Sequence, residues 1–262
     1  MTGPALGAIP RPPLWPDLAT RELTAAELMD DPACDLEALR RTYALFRPIN
    51  RLVAGWRYVY TRQLRPLLSP TRPTTLLDIG SGGGDVPRAL AAWAARDHLV
   101  LHLTAVDPDA RAHAFASAFP RVPRLEFLRA TSTDLVAAGE RFDIVTSNHL
   151  LHHLDADDLA SLLADSERLA RRLVVHNDIA RSALAYSAYR AATVPLGRRS
   201  FAHYDGSLSI RRSYRAAELR TTVHEIGADS LWRVETPVPF RVLLRWAPRA
   251  AGAPHRDEVA RA

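Results

Sequence analysis

Between residues 73 and 178, short apolar runs alternate with stretches whose apolar positions recur every three or four residues. The runs at residues 76–79, 99–106, 125–128, 142–146 and 173–175 read as strands. The stretches between them read as helices, marked by Val86, Leu90 and Trp93, by residues 109–119, and by Leu159, Leu162, Leu163 and Leu169. Asp155 stands where an N-cap belongs, and Asp157 and Asp158 suit the positive end of the helix that follows. Strands alternating with helices of this length predict an α/β fold, a doubly wound parallel sheet covered on both faces, with ligands received beyond the carboxyl ends of the strands. After Asp178 a mixed segment extends to Tyr214. A helix with Leu219, Val223 and Ile226, closed by Gly227, comes next, and strand candidates at residues 231–235 and 240–246 finish the pattern.

Ahead of the sheet the pattern changes. Residues 1–22 carry Pro4, Pro10, Pro12, Pro13 and Pro16 and little helical period, so they read as an extended or disordered arm. Leu36, Leu39, Tyr43 and Phe46 fall at helical spacing until Pro48 interrupts them, and an aromatic segment with Trp56, Tyr58 and Tyr60 runs on to Pro66. The expected organisation is therefore an arm at 1–22, a helical cap at 23–72, a main domain at 73–247 and a loose tail at 248–262. The main domain holds an insertion on the substrate side at about residues 179–214.

Composition narrows the chemistry. The 262 residues allow one large α/β domain or two smaller ones, and 47% hydrophobic with 24% charged residues is ordinary for a globular protein. Runs free of polar residues, such as 89–95, fall far short of the ~18 needed to span a membrane. No basic leader followed by an apolar stretch opens the chain, so a cytoplasmic protein is expected. Cys34 is the one cysteine, which rules out an internal disulfide and a four-thiolate zinc site. All 34 basic residues are arginine, so a Walker-type phosphate lysine, a Schiff-base lysine and a Ser-Lys hydrolase are excluded together. The net charge of +5 is spread along the chain rather than gathered into basic blocks, and nucleic acid is not an expected partner.

The stretch Leu76-Leu77-Asp78-Ile79-Gly80-Ser81-Gly82-Gly83-Gly84-Asp85 is a strand running into a glycine loop that opens a helix. A loop without side chains lets a ligand touch the main chain, and exposed N–H groups there favour negative charge. Asp107 ends the next strand, 25 residues beyond Gly82, where a carboxylate can accept from both ribose hydroxyls. A nucleoside ligand follows. A dinucleotide fingerprint needs glycine at the first, third and sixth positions, here Gly80, Gly82 and Asp85. Asp85 would set negative charge beside a pyrophosphate, whereas a ligand with an ammonium group and no phosphate suits Asp78 and Asp85. S-adenosylmethionine is such a ligand.

At these residues the chain resembles the class I S-adenosylmethionine-dependent methyltransferases of the bacterial small-molecule type. The resemblance spans residues 76–178 through LLDIGSGGGD, AVDPD, FDIVTSNHLLHHL and LVVHND. It implies a Rossmann-like seven-stranded sheet with an antiparallel last strand, which agrees with the two C-terminal strand candidates. Carried over by position, Asp78, Gly80, Ser81, Gly82 and Gly84 line the methionine half with Asp85 close by, Asp107 holds the ribose, Pro108 packs near adenine and Asn148 lies under the methionine. Where many members have Gly-Asp ahead of the fourth strand, this chain has Ala130-Thr131-Ser132, and Thr131 and Ser132 take that place near adenine.

His149, His152 and His153 lie just past the fourth strand, and His176, Asn177 and Asp178 follow the fifth, so both groups are expected at one crevice. A general base among the three histidines would help an oxygen acceptor, because a phenol of pKa near 10 is only ~0.1% ionised at pH 7. Carbon methylation of a quinol ring would use the same deprotonation. His149 and His153 could instead share a metal with Asp178, or the histidines could simply cap and pack; no metal is assigned. The acceptor pocket is expected from Tyr43, Arg47, Asn50 and Trp56 before the sheet, from His176 and Asp178 at its edge, and from Tyr186, Tyr189, His203, Tyr204 and Tyr214 in the insertion. The segment from His203 to Tyr214 is similar to one in methyltransferases that sit beside polyketide enzymes and modify phenolic lipids.

The function expected from the sequence is methyl transfer to a small phenolic or quinol-like acceptor, oxygen favoured over carbon, in secondary metabolism, by a monomer or homodimer. Three alternatives stand beside it: a nicotinamide oxidoreductase, which Asp85 disfavours; a regulatory protein that keeps the nucleoside pocket without turnover; and nucleic-acid methylation, for which no Asn-Pro-Pro-Tyr type motif is present.

Overall fold

The protein is described by a computed structural model over residues 9–196, 199–228 and 231–248. Residues 249–262 of the expected tail and the first eight residues of the arm lie outside these.

Seven strands form one sheet: β1 (Thr74–Ile79), β2 (Leu101–Val106), β3 (Leu125–Leu128), β4 (Phe142–Asn148), β5 (Ala170–Ile179), β6 (Arg233–Glu235) and β7 (Arg241–Trp246). Their order is β3-β2-β1-β4-β5-β7-β6. The first five run parallel, and β7 is antiparallel to both of its neighbours. The order reverses between β1 and β4, and that switch point leaves a crevice beyond the strand ends. In register, Ile79 lies beside Val106 and Ser147, and Asn148 beside Asn177. The glycine loop, Asp107 and Asn148 therefore leave the sheet at one edge.

The helices are α1 (Leu36–Val53), α2 (Trp56–Val59), α3 (Asp85–Arg96), α4 (Ala110–Ser117), α5 (Ser132–Ala137), α6 (Ala156–Leu169), α7 (Ala183–Thr193), α8 (Ala202–Arg212) and α9 (Ala216–Glu225). Successive strand residues feed opposite faces of the sheet. Leu77, Val145, Val174 and Leu244 pack with Leu159, Leu163 and Leu219 on one side. Leu76, Ile144, Val175 and Leu243 pack with Trp56, Tyr60 and Leu90 on the other. A third cluster, with Leu39, Tyr43, Ala112 and Phe201, seats α1 over the crevice. Asp155 caps α6 by accepting from the Asp158 amide, and Gly227 closes α9 at φ +68°.

Pro48 does not interrupt the first helix. α1 runs through it for 18 residues. Proline removes one backbone donor, but Leu39, Tyr43 and Asn50 stay buried on one face, and the Ala54 amide still donates to Asn50 O at 3.0 Å. The aromatic segment beyond continues helically, through a π turn at Tyr60–Leu64. The mixed stretch after β5 is two helices, α7 and α8. β5 is longer than its apolar core suggests, because exposed Arg171 and Arg172 break the run.

The arm from residue 9 is extended and tied down. Tyr186 Oη donates to Pro13 O at 2.6 Å, Arg181 donates to Leu18 O and Ala19 O at 3.0 Å each, and Arg21 Nε donates to Arg212 O at 2.7 Å. The Arg21 guanidinium also stacks 3.5 Å above the Tyr214 ring.

Candidate active site

The loop after β1 needs its glycines for two reasons. Gly80, Gly82 and Gly84 sit at φ +67°, +51° and +76°, a region costly for other residues. At Gly84 a side chain would also meet the Phe127 ring at 2.6 Å, so this glycine serves packing beneath the loop. Gly80, Ser81, Gly82 and Gly83 border a cavity of about 290 Å³. Asp107 closes one side of it. Its Oδ2 accepts from the Gly82 amide at 2.8 Å and its Oδ1 from the Asp109 amide at 2.9 Å. A carboxylate fixed in this way still has lone pairs for hydroxyl donors.

Asp78 and Asp85 sit at the bottom of the same cavity. Burial raises the Asp78 pKa to about 7, a hydrogen bond from Thr146 Oγ1 at 2.8 Å opposes the rise, and the charges of Asp85 and Asp107 add to it. Burial also raises Asp85, which accepts from Asn50 Nδ2 at 3.1 Å. Asn148 lines the cavity beside them, its Oδ1 accepting from Trp56 Nε1 at 2.9 Å and Arg241 Nη2 at 3.2 Å. Glu27, Asp30, Asp78, Asp85, Asp107 and Asp109 all contribute to the lining, and no arginine does. A cavity so acidic favours a cationic ligand over a diphosphate.

The histidines part company. His149, at φ +57°, accepts at Nε2 from Arg241 Nη1 at 2.7 Å. Burial and the Arg241 charge push its pKa well below the ordinary value. His152 is buried, and its Nδ1 lies 2.8 Å from Asp178 Oδ1. Burial alone would lower its pKa, but the charge and hydrogen bond of Asp178, with help from Glu27, raise it to about 9. Asp178 is correspondingly held below its usual range, burial being outweighed by His152. His152 Nε2 is buried without a hydrogen-bond partner, 3.5 Å from Glu27 Oε1. The His153 ring lies beside that of His152, centroids 4.3 Å apart, with Nε2 at 3.9 Å from Glu27 Oε1 and Nδ1 at 3.4 Å from Asp30. His149, His153 and Asp178 thus do not converge on one point.

Tyr43 lines the cavity and packs at a tilt against Phe115, with ring centroids 5.1 Å apart. Other residues expected on the acceptor side lie elsewhere. Arg47 is exposed on α1. Trp56 is buried beneath Asn148, and Asp178 lies behind His152. His176 sits in the core between Ser147 and Ser166, stacked on Trp232, its pKa lowered by burial to about 3. Tyr186 is engaged with the arm, Tyr189 Oη donates to Ala202 O, His203 pairs with Thr193, and Tyr204 is half-buried outside the cavity. Thr131 and Ser132 are outside it as well: Thr131 caps α5 in a box with Asp134, and Ser132 donates to Asp165 Oδ2 at 2.8 Å.

Several residues with a direct part were not foreseen. Glu27 and Asp30 come from the segment before α1, and a short 3₁₀ turn at Leu28–Asp30 presents them. Asp205 of α8 holds that turn by accepting from the Leu28 and Met29 amides at 2.8 and 3.0 Å, and Ser209, one helical turn on, donates to Glu27 Oε1 at 2.7 Å. The signal available in the sequence was the acidic run Glu27, Asp30 and Asp31 between a proline-rich arm and a helix. Arg241 on β7, which organises Asn148, His149 and Asn177, had none.

The strand order, the antiparallel β7 and a glycine loop at the switch point with an acid ending β2 define a class I methyltransferase fold. Residues 77–192 match the family described as "Methyltransferase domain". A ubiquinone biosynthesis O-methyltransferase of Methylobacterium sp. (strain 4-46) is 30% identical over 160 residues, which are 58% of this chain and 59% of the relative. The chain thus spans about three fifths of that relative's length. The solved plantazolicin methyltransferase BpumL in complex with SAH shares the fold at TM-score 0.53 and 13% identity, covering 82% of this chain and 95% of that one. Human N-acetylserotonin methyltransferase in complex with SAM does so at TM-score 0.58 and 9% identity, covering 82% and 57%. Among the described residues no helix is long and apolar enough to cross a membrane.

Proposed function

We propose that the chain transfers a methyl group from S-adenosylmethionine to an oxygen of a small phenolic or quinol-like acceptor. The observation that carries this reading is a single cavity with two chemistries: a glycine loop and Asp107 at one end, and Glu27, His152 and His153 at the other. At the first end Asp78 and Asp85 would meet the ammonium group, Gly80, Ser81 and Gly82 would offer main chain, and Asp107 would accept from the ribose. Pro108 would pack near adenine, and Asn148 would lie under the methionine. The hydroxyls of Thr131 and Ser132 and the Thr131 amide are engaged within the protein, which leaves the Ser132 main chain to meet the base.

The reaction is a direct displacement: the acceptor oxygen attacks the sulfonium methyl, the sulfur–carbon bond breaks as the oxygen–carbon bond forms, and S-adenosylhomocysteine leaves. Alignment of donor and acceptor supplies ~7–11 kcal/mol in such reactions. The acceptor's proton leaves to solvent through the end of the cavity lined by Glu27 and His153, while Asp178 fixes His152, which already holds its proton at neutral pH, and Arg241 occupies His149. Oxygen rather than carbon is supported by the relative named as a ubiquinone biosynthesis O-methyltransferase. In this reading the chain works in the cytoplasm, alone or as a homodimer, and takes no nucleic acid.

The test is mass spectrometry of phenols, catechols and hydroquinones incubated with the protein and methyl-labelled cofactor. One added labelled methyl on oxygen is the expected product. A ring-carbon methyl would move the acceptor atom, and no transfer to any aromatic would overturn the acceptor class.

A further inference from the structure

Glu27, His152 and His153 each offer a ligand atom, and those atoms lie within 4.8 Å of one another. Two ligands held ~2.1 Å from a tetrahedral metal ion are separated by about 3.4 Å. The observed spacings from Glu27 Oε1 are 3.5 Å to His152 Nε2 and 3.9 Å to His153 Nε2. Small side-chain adjustments would bring all three around one ion.

The surroundings fit as well. A histidine that binds metal through one ring nitrogen commonly gives the other to a carboxylate, which fixes the ring and its tautomer. Both histidines have such a partner: Asp178 at 2.8 Å from His152 Nδ1, and Asp30 at 3.4 Å from His153 Nδ1. Ser209 donates to Glu27 Oε1 at 2.7 Å and orients that carboxylate in turn. The Nε2 atom of His152 is the independent sign of a missing ligand. It is a polar atom on a side chain 1% exposed, with no hydrogen-bond partner, facing Glu27. Buried polar atoms are rarely left so.

We infer that Glu27, His152 and His153 bind a divalent transition-metal ion of the zinc or manganese kind, with Asp30 and Asp178 as supporting carboxylates and an open position toward the cavity. Two imidazoles and one carboxylate select such ions over calcium or magnesium, which take oxygen ligands almost exclusively. The set differs from the one the sequence suggested, since His149 is taken by Arg241 and Asp178 stands behind His152 rather than beside the ion. All three ligands line the cavity, so an acceptor oxygen at the open position would ionise at lower pH, its proton passing to solvent. That role rests on the methyl-transfer reading; the presence of the ion does not.

The experiment uses the full chain, stripped with a chelator and titrated with zinc ion in the absence of cofactor and acceptor, followed by calorimetry and elemental analysis. One ion per chain at micromolar affinity or tighter is expected, weakened at least 100-fold in Glu27→Gln and in His153→Ala. His224→Ala, on the exposed face of α9, should bind as the unaltered protein does. Cobalt ion gives a second reading that does not depend on removing a buried group. Visible absorption bands of a four- or five-coordinate nitrogen–oxygen site should form with the unaltered protein and vanish with His153→Ala, circular dichroism confirming that the variant is folded. The inference is overturned if no ion remains after dialysis, or if the variants retain it as tightly as the unaltered chain. Ion binding without methylation of any phenol would leave this site standing and remove the acceptor class instead.

Discussion

The two ends of the cavity are built on different principles. The cofactor end stands on the sheet: β1 delivers the glycine loop, β2 delivers Asp107, β4 delivers Asn148, and strand register holds all three in place. The acceptor end is assembled from pieces distant in sequence. A 3₁₀ turn before α1 supplies Glu27 and Asp30, a second short turn after β4 (Leu151–His153) supplies two histidines, and α8 joins them through Asp205 and Ser209. The first kind of site is fixed by the fold. The second depends on a few polar contacts, and it is where members of one fold can differ in chemistry.

That contrast can be broken at each end in turn. The largest effect is expected at Asp107→Ala, which removes the acceptor proposed for two ribose hydroxyls. Hydrogen bonds to a charged group are worth ~1.5–3 kcal/mol each, so affinity for S-adenosylhomocysteine should fall by roughly 100-fold or more by calorimetry while zinc binding stays unchanged. Gly84→Ala should come next. With φ at +76° and Phe127 at 2.6 Å from the added atom, a loss of ~2 kcal/mol in unfolding free energy is expected, read as a lower melting temperature.

Asp205→Ala tests the other end. It leaves the Leu28 and Met29 amides without their acceptor, at a cost of ~1–3 kcal/mol. Turnover of a phenolic acceptor should drop roughly tenfold or more, while cofactor affinity changes less than about twofold. An equal loss in both would mean that the two ends are not separable.

The smallest effect is a pH dependence at Asp78. Its pKa is raised to about 7 from the ordinary 3.8, burial being the main cause. Below about 4 this group costs the fold nothing; as pH rises through 7 the unligated protein loses stability, because the unfolded chain ionises first. An ammonium-bearing ligand needs the ionised form, so affinity for S-adenosylhomocysteine should move the other way, strengthening up to tenfold between roughly pH 6 and 7. Thermal melts with and without ligand across that range would show the two opposite slopes.

The sequence made one end far more legible than the other, for a physical reason. Residues 76–85 combine a strand, glycines and acids in consecutive positions, so the loop and Asp107 could be placed from spacing alone. Apolar periodicity likewise located every strand of the sheet, although Arg171 and Arg172 hid the start of β5. Pro48 was misleading because local propensity was outweighed by the buried face of α1. The acceptor end depends on contacts between residues up to 182 apart, as between Glu27 and Ser209, and no local pattern encodes such a meeting. The same limit explains why His176 and His203, conspicuous in the sequence, lie in the core, while Glu27 attracted no notice.

The most direct test is calorimetric titration of the unaltered protein with S-adenosylhomocysteine and, separately, with a nicotinamide dinucleotide. Saturable heat at one site per chain with the first ligand and none with the second is the predicted result. Binding of the dinucleotide with silence toward the sulfur nucleoside would contradict the reading of the cavity on which everything else stands.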